Sequence, residues 1–132
     1  MAPHRLLLGS LLACLVALPV AGTAAADEAP SGLVLSVQDE GSGRFTTTQL
    51  RCDPPGGRHP NAPAACAALE TVGADFTQLP AETHKSCPFI FRPVVAAARG
   101  LWHGRPVDYT KEYANSCFLH VSTDPVFVFA PA

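Results

Sequence analysis

The stretch that most restricts the fold of this chain is Ser86-Cys87-Pro88-Phe89-Ile90-Phe91-Arg92-Pro93. Each proline fixes its own φ near the extended value and drives the residue before it towards β or polyproline geometry. Cys87, Pro88, Arg92 and Pro93 are therefore confined to extended backbone, and the segment has little freedom left to lose. The large hydrophobes between the prolines allow two readings. Phe89-Ile90-Phe91 is either an ordinary core strand or a rigid exposed loop that offers an aromatic side chain to another protein.

The beginning of the chain reads as a leader. Met1 to Arg5 is short and basic, Leu6 to Val20 is almost continuously apolar, and Ala24-Ala25-Ala26 supplies small residues for cleavage. Those are the parts of a secretory signal peptide. The expected cut follows Ala26, so residues 1–26 are the leader and residues 27–132 an exported, extracellular domain. The apolar run is too short to span a bilayer comfortably. Leu11-Leu12-Ala13-Cys14 resembles a lipid-attachment box, but the apolar run continues past Cys14 to Val20, where a lipoprotein tether would be polar.

Cys14 departs with the leader. Cys52, Cys66, Cys87 and Cys117 remain, and an even number in an exported domain points to disulfides. Four cysteines can be paired in more than one way, and sequence alone does not choose. The length supports one domain with a real core, which the disulfides would stiffen. Without Arg5 the chain carries eight basic against eleven acidic residues, with no basic cluster and no amphipathic basic helix. That balance argues against a nucleic-acid partner and against membrane binding.

Taken in order, Asp27 to Ser31 is a polar lead-in. Leu33, Leu35 and Val37 alternate with Val34, Ser36 and Gln38, the period of a strand. Asp39 to Gly43 is a turn by composition, and the threonine-rich Phe45 to Cys52 a second strand. Asp53 to Pro63 holds four prolines and two glycines, and is expected to contain no regular element. Pro63 to Gly73 is the one clear helix, with proline in its first turn and glycine at its end. Its apolar face is Ala65, Cys66, Leu69 and Val72, so a cysteine lies on the buried side, consistent with a tie back to Cys52. Closing a loop of about 15 residues in this way stabilises by roughly 3 kcal/mol in the chain-entropy model.

Thr77 to Lys85 is polar and irregular. Val94 to Arg99 reads as a strand, Gly100 as a bulge, and His103-Gly104 as a hairpin turn. Val107, Tyr109 and Tyr113 alternate with Asp108, Thr110 and Glu112 in a half-buried strand that Asn115-Ser116-Cys117 ends. Val126 to Phe129 reads as a last strand after an Asp124-Pro125 turn. The sum is an antiparallel sheet with a helix on one face, an α+β fold.

Enzyme signals are weak. No nucleophile elbow, phosphate loop or zinc-helix motif occurs, and a cysteine nucleophile would need a free thiol. His59, His84, His103 and His120 stand without paired ligand spacing and read as surface residues, so no metal or cofactor is expected. Asp108 and Glu112 share a strand face, but nothing marks them as an acid/base pair. Binding fares better. A disulfide at Cys87 would support the loop one residue before Pro88, and preorganisation turns modest contact area into tight binding. Phe89 at the crest is worth on the order of 1.5–3 kcal/mol once buried in a partner pocket. An extended loop with one projecting anchor is how a substrate-like inhibitor meets a protease cleft.

Four blocks of residues make this specific. They are Ala29-Pro30-Ser31-Gly32-Leu33-Val34-Leu35; His59-Pro60 with Ala65-Cys66-Ala67, Leu69, Val72-Gly73 and Asp75; Cys87-Pro88-Phe89-Ile90-Phe91 with Pro93; and Trp102, Gly104, Val107 and Tyr109 running to Asn115 and Cys117. In their order and spacing the chain resembles the subtilisin inhibitor-like family of Streptomyces and related actinobacteria. The resemblance implies the pairings Cys52–Cys66 and Cys87–Cys117, and a five-stranded antiparallel sheet with two helices packed on one face. Ala114 to Cys117 is the place for the second helix. It also implies a homodimer formed through the sheet.

The resemblance further implies inhibition of serine endopeptidases of the subtilisin and chymotrypsin type through a bond that is cut slowly and readily resealed. By position that bond is Phe89–Ile90, with Phe89 entering the primary specificity pocket and Ile90 first on the leaving side. Ser86, Cys87, Pro88, Phe91, Arg92 and Pro93 flank it, and Asn115 matches the asparagine that braces the loop. Many relatives carry methionine or lysine at the crest, so phenylalanine favours subtilisin-like and chymotrypsin-like enzymes over trypsin. Arg92 replaces a more usual acidic residue, and Ser86 is small where bulkier residues are often found. The competing reading, a secreted structural or cross-linking substrate protein, makes Phe89-Ile90-Phe91 simply core.

Overall fold

The computed structural model describes residue 22 and residues 30–132; the expected leader, residues 1–26, lies outside the described residues apart from residue 22. Strand β1 (Ser31–Asp39) buries Leu33, Leu35 and Val37 and turns Val34, Ser36 and Gln38 outward, as its alternation predicts. Strand β2 (Phe45–Cys52) returns antiparallel to it, from Gln38 opposite Phe45 to Ser31 opposite Cys52. On the other side of β1 runs β4 (Val94–Trp102), joined to β5 (Arg105–Tyr113) by His103 and Gly104. Both turn residues have positive φ, 46° and 77°, which suits a two-residue hairpin between right-twisted strands.

The fifth strand is not where the sequence places it. β3 (Gly56–Gly57) pairs with Leu50 and Arg51 at the edge of β2, inside the stretch expected to hold no regular element. The sheet order is β3-β2-β1-β4-β5. A strand of two glycines leaves no side-chain period to read, and a Cβ at Gly57 would run into the Gln49 carbonyl. The apolar run Val126 to Phe129 forms no strand. It folds in turns, with Val126 N–H on the Thr123 carbonyl (2.9 Å) and Ala130 N–H on the Phe127 carbonyl (3.0 Å). Successive residues Val126 and Phe127 are both fully buried, which a strand with one wet face would not allow.

Gly100 is not a bulge either. β4 keeps its register across it, opposite Leu33 on one side and Val107 on the other. Glycine is needed because φ is 147° and a Cβ would meet the Gly32 carbonyl.

Helix α1 (Ala62–Val72) starts with proline in its first turn and ends at Gly73, in left-handed geometry at φ 59°. Gly73 N–H donates to the Glu70 carbonyl and Ala74 N–H to that of Leu69, satisfying the last turn. Its buried face, Ala62, Ala65, Cys66 and Leu69, lies against β2, and the Cys52–Cys66 disulfide fixes it there. Helix α2 (Ser116–Thr123) packs Leu119 and Thr123 into the same core, against β4 and β5. It starts where the family resemblance places a second helix and runs further. Both helices cover one face of the sheet, so the architecture is the expected α+β fold with two disulfides.

His59, read as a surface residue, is 7% exposed. Its Nδ1 accepts from the Asn61 N–H at 3.0 Å, so Nε2 carries the proton and donates to the Val126 carbonyl at 2.8 Å. The histidine pins the segment after α2 to the loop before α1. Among the described residues no helix is long and apolar enough to cross a membrane.

Candidate functional site: the loop from Ser86 to Pro93

The loop is exposed. Phe89 is 98% accessible, Phe91 74% and Ile90 54%, which rules out the core-strand reading of the three. Pro88 and Arg92 are also exposed, while Cys87 and Pro93, at the two ends, are partly buried. The anchors sit at the ends and the hydrophobes are held out between them.

Four ties hold this backbone. Cys87 is bonded to Cys117 in the first turn of α2, with Cα atoms 5.7 Å apart. On the far side, Arg92 N–H donates to the Ala114 carbonyl at 2.8 Å, and Glu40 N–H, from the β1–β2 turn, donates to the Pro93 carbonyl at 3.1 Å. The fourth tie is central. The Nδ2 of Asn115 donates to the carbonyls of Pro88 (3.0 Å) and Ile90 (2.9 Å), one on each side of Phe89. Its Oδ1 meanwhile accepts from the Phe118 N–H at 3.1 Å, the N-cap bond of α2. One side chain thus starts the helix and holds the loop crest. The cap also fixes the rotamer that aims Nδ2 at the loop.

Beneath the loop lies a cavity of about 440 Å³, bordered by Pro88, Ile90, Asn115, Asp39, Arg44 and Pro131. The Asp39 carboxyl is held below the usual carboxylate range, first by the Ser42 N–H that it accepts at 3.0 Å and more weakly by the charge of Arg92. Beside the crest, the Phe118 ring of α2 stands 6.3 Å from that of Phe89, tilted by 46°. At the approach to the loop, Lys85 and Glu82 form an exposed ion pair at 3.4 Å, and Ser86 is exposed.

The structure therefore brings together Cys87, Pro88, Phe89, Ile90, Phe91, Arg92, Pro93, Asn115 and Cys117. Sequence reasoning missed Glu40, Ala114 and Phe118, whose contributions are a backbone N–H, a carbonyl and a ring brought in by the fold. Asp108 and Glu112 form no pair with each other; Asp108 instead faces Arg99 of β4 at 3.4 Å in solvent. His103 does not stand alone, lying 2.9 Å from Glu70 and 3.8 Å from Asp53. Among the described residues no group of three or more His, Cys, Asp or Glu side chains could hold a metal ion.

Residues 29–115 match the subtilisin inhibitor-like family model. Subtilisin inhibitor-like protein 5 of Streptomyces fradiae is 41% identical over 107 residues, covering 76% of this chain and 99% of that protein. The subtilisin inhibitor of Streptomyces albogriseolus is 38% identical, over 76% of this chain and 74% of that protein. Among solved structures, sermetstatin of Streptomyces caespitosus, in complex with Bacillus licheniformis subtilisin, matches with a TM-score of 0.64 and 28% identity. That match covers 77% of this chain and 99% of sermetstatin. The chain belongs to the subtilisin inhibitor-like family.

Proposed function

We propose that this protein is an exported inhibitor of serine proteases, not an enzyme, and that it acts on subtilisin-like and chymotrypsin-like endopeptidases through the bond Phe89–Ile90. The observation that carries the proposal is a side chain 98% exposed on a backbone whose carbonyls on both sides accept from Asn115. A free loop that shows so large an apolar group to water gains only when a partner covers it. Descriptions of the relatives as subtilisin inhibitors, and the sermetstatin–subtilisin complex, support the same direction.

The chemistry follows from the ties. Phe89 fills the protease's primary pocket, Pro88 precedes it, and Ile90 leads the leaving side. The catalytic serine attacks the Phe89 carbonyl, the Phe89–Ile90 C–N bond breaks, and the serine's proton passes to the nitrogen of Ile90, which becomes a free amine. That amine does not leave, because the Ile90 carbonyl is held by Asn115, Arg92 N–H by Ala114 and the Pro93 carbonyl by Glu40. The acyl side is held by Cys87–Cys117. The amine stays beside the acyl-enzyme at high effective molarity, and resealing outruns hydrolysis.

Export through the leader of residues 1–26 fits the two disulfides, which persist in oxidising surroundings. A homodimer through the sheet fits the face away from the helices, where Val34 and Phe45 are 49% and 62% exposed. Sedimentation of wild type and of Val34→Glu tests it: a dimer that the substitution dissociates is expected, and a monomeric wild type rules it out. The exposure of Phe89 counts against a purely structural protein with a buried Phe89-Ile90-Phe91 core. The function itself is tested by titrating subtilisin and chymotrypsin with purified protein. Stoichiometric loss of activity is expected; full activity at molar excess rejects the proposal.

A further inference from the structure

His120 lies in the last turn of α2, the helix whose first residues brace the loop. Its Nδ1 is 3.0 Å from both carboxylate oxygens of Asp124, which fixes the proton on that nitrogen. The other nitrogen, Nε2, is sealed from solvent and has no hydrogen-bond partner. The backbone of Pro131 lies beside the imidazole. A proline has no N–H, so Pro131 presents only a carbonyl. The neutral ring has no proton at Nε2 to offer that oxygen; only the imidazolium supplies a donor there.

Pro131 and Ala132 also border the cavity beneath the loop, together with Pro88, Ile90 and Asn115. The segment after α2 is thus both the floor of that cavity and the neighbour of His120. Further back, that segment is held by the His59 bond to the Val126 carbonyl and by the Ala130 N–H bond to the Phe127 carbonyl.

We propose that His120 is a positioning residue, a proton-dependent latch that in its charged form holds Pro131–Ala132 against the underside of the loop and so stiffens the scissile bond. This rests on reading residues 86–93 as the protease-binding loop. Asp124 favours the charged ring, as does the C-terminal end of α2. Lys85, from the loop approach, opposes it, and Glu82 stands 3.4 Å from Lys85 to offset that. The balance lifts the His120 pKa above the ordinary histidine value, chiefly through the Asp124 hydrogen bond. The latch is therefore closed below the ordinary value and opens as pH rises through the raised one.

The test compares wild type with His120→Gln against subtilisin from about pH 5.5 to pH 9. The ratio of their dissociation constants at each pH cancels the protease's own titration. Wild type is expected to bind about fivefold more tightly at the acid end, with the ratio closing towards one at the alkaline end. In parallel, ¹⁵N relaxation of Ala132 in the free protein reads the latch without a protease. Its order is expected to fall with the midpoint of the His120 ring resonance, and Asp124→Asn to move that midpoint to lower pH. A ratio flat across the range overturns the proposal, as does an Ala132 whose order ignores His120. If wild type inhibits at no pH while Ala132 follows His120, the latch stands and the inhibitor reading is what falls.

Discussion

The side-chain nitrogen of Asn115 lies 2.9 Å from the carbonyl oxygen of Ile90 and bonds it while also bonding the residue two before it. That bond spans the two products of any cut between Phe89 and Ile90, since Pro88 would lie on one and Ile90 on the other. Asn115→Ala removes both loop bonds and the cap of α2. The cap costs about 1 kcal/mol of stability. Asn115→Asp keeps the cap and turns an acceptor towards two carbonyls. Both variants are expected to bind subtilisin at least about tenfold more weakly and to be hydrolysed faster, with Asp melting no lower than Ala. Inhibition constants, cleavage time courses and thermal melts check this.

The Cys87–Cys117 bond closes 30 residues of chain. Its loss is expected to cost about 3.5–4 kcal/mol in the chain-entropy model. Its effect on inhibition is predicted to be larger than a change in stability alone. The double variant Cys87→Ser with Cys117→Ser, assayed well below its melting temperature, is expected to behave as a substrate. Unchanged affinity and lifetime in the complex would contradict the role given to the disulfide.

Phe89 touches little of its own chain, so its replacement is expected to alter specificity and not fold. Phe89→Lys is expected to leave the melting temperature within about 2 °C of wild type. It is expected to create trypsin inhibition and to weaken chymotrypsin inhibition. Inhibition constants against the two enzymes decide the matter, and an unaltered pattern would mean that another residue enters the pocket.

Tyr109 and Tyr113 share a hydrogen bond of 2.7 Å on β5, with Tyr109 stacked on Phe76 at 4.7 Å. Burial pushes both phenols above the ordinary tyrosine value, and the bond to Tyr113 raises Tyr109 further. A raised pKa means that folding favours the protonated form. The stability this gives is complete below the unfolded tyrosine value of about 10 and drains away as pH rises beyond it. The melting temperature is expected to fall between about pH 9 and pH 11.5, and to fall less in Tyr109→Phe. Equal slopes for the two proteins would contradict the assignment.

Much of this fold was legible because side chains declare it. The alternation of Leu33, Leu35 and Val37 marks β1, Pro63 and Gly73 bracket α1, and His103-Gly104 marks the hairpin. What stayed hidden was made by backbone or by distance. β3 is two glycines pairing through their peptides. His59 is buried by a bond to a carbonyl 67 residues away. Val126 to Phe129 looks like a strand by composition, but composition does not show that consecutive side chains point inward. In α2, eight residues with two buried positions give too short a period to find, although Asn115 before Ser116 is a capping signal. At the loop, proline geometry gave the extended backbone and the cysteine count gave the prospect of a staple. The brace from Asn115 came only through the resemblance, and its two hydrogen bonds to the loop were not legible, since its register across the loop depends on β4, β5 and α2 together.

The most direct measurement is mass spectrometry of the complex with subtilisin after long incubation. The account predicts intact protein in large excess, with a small fraction cut at one place, between Phe89 and Ile90, its two pieces joined until Cys87–Cys117 is reduced. Cleavage at scattered positions, or at one bond elsewhere in the chain, would contradict it.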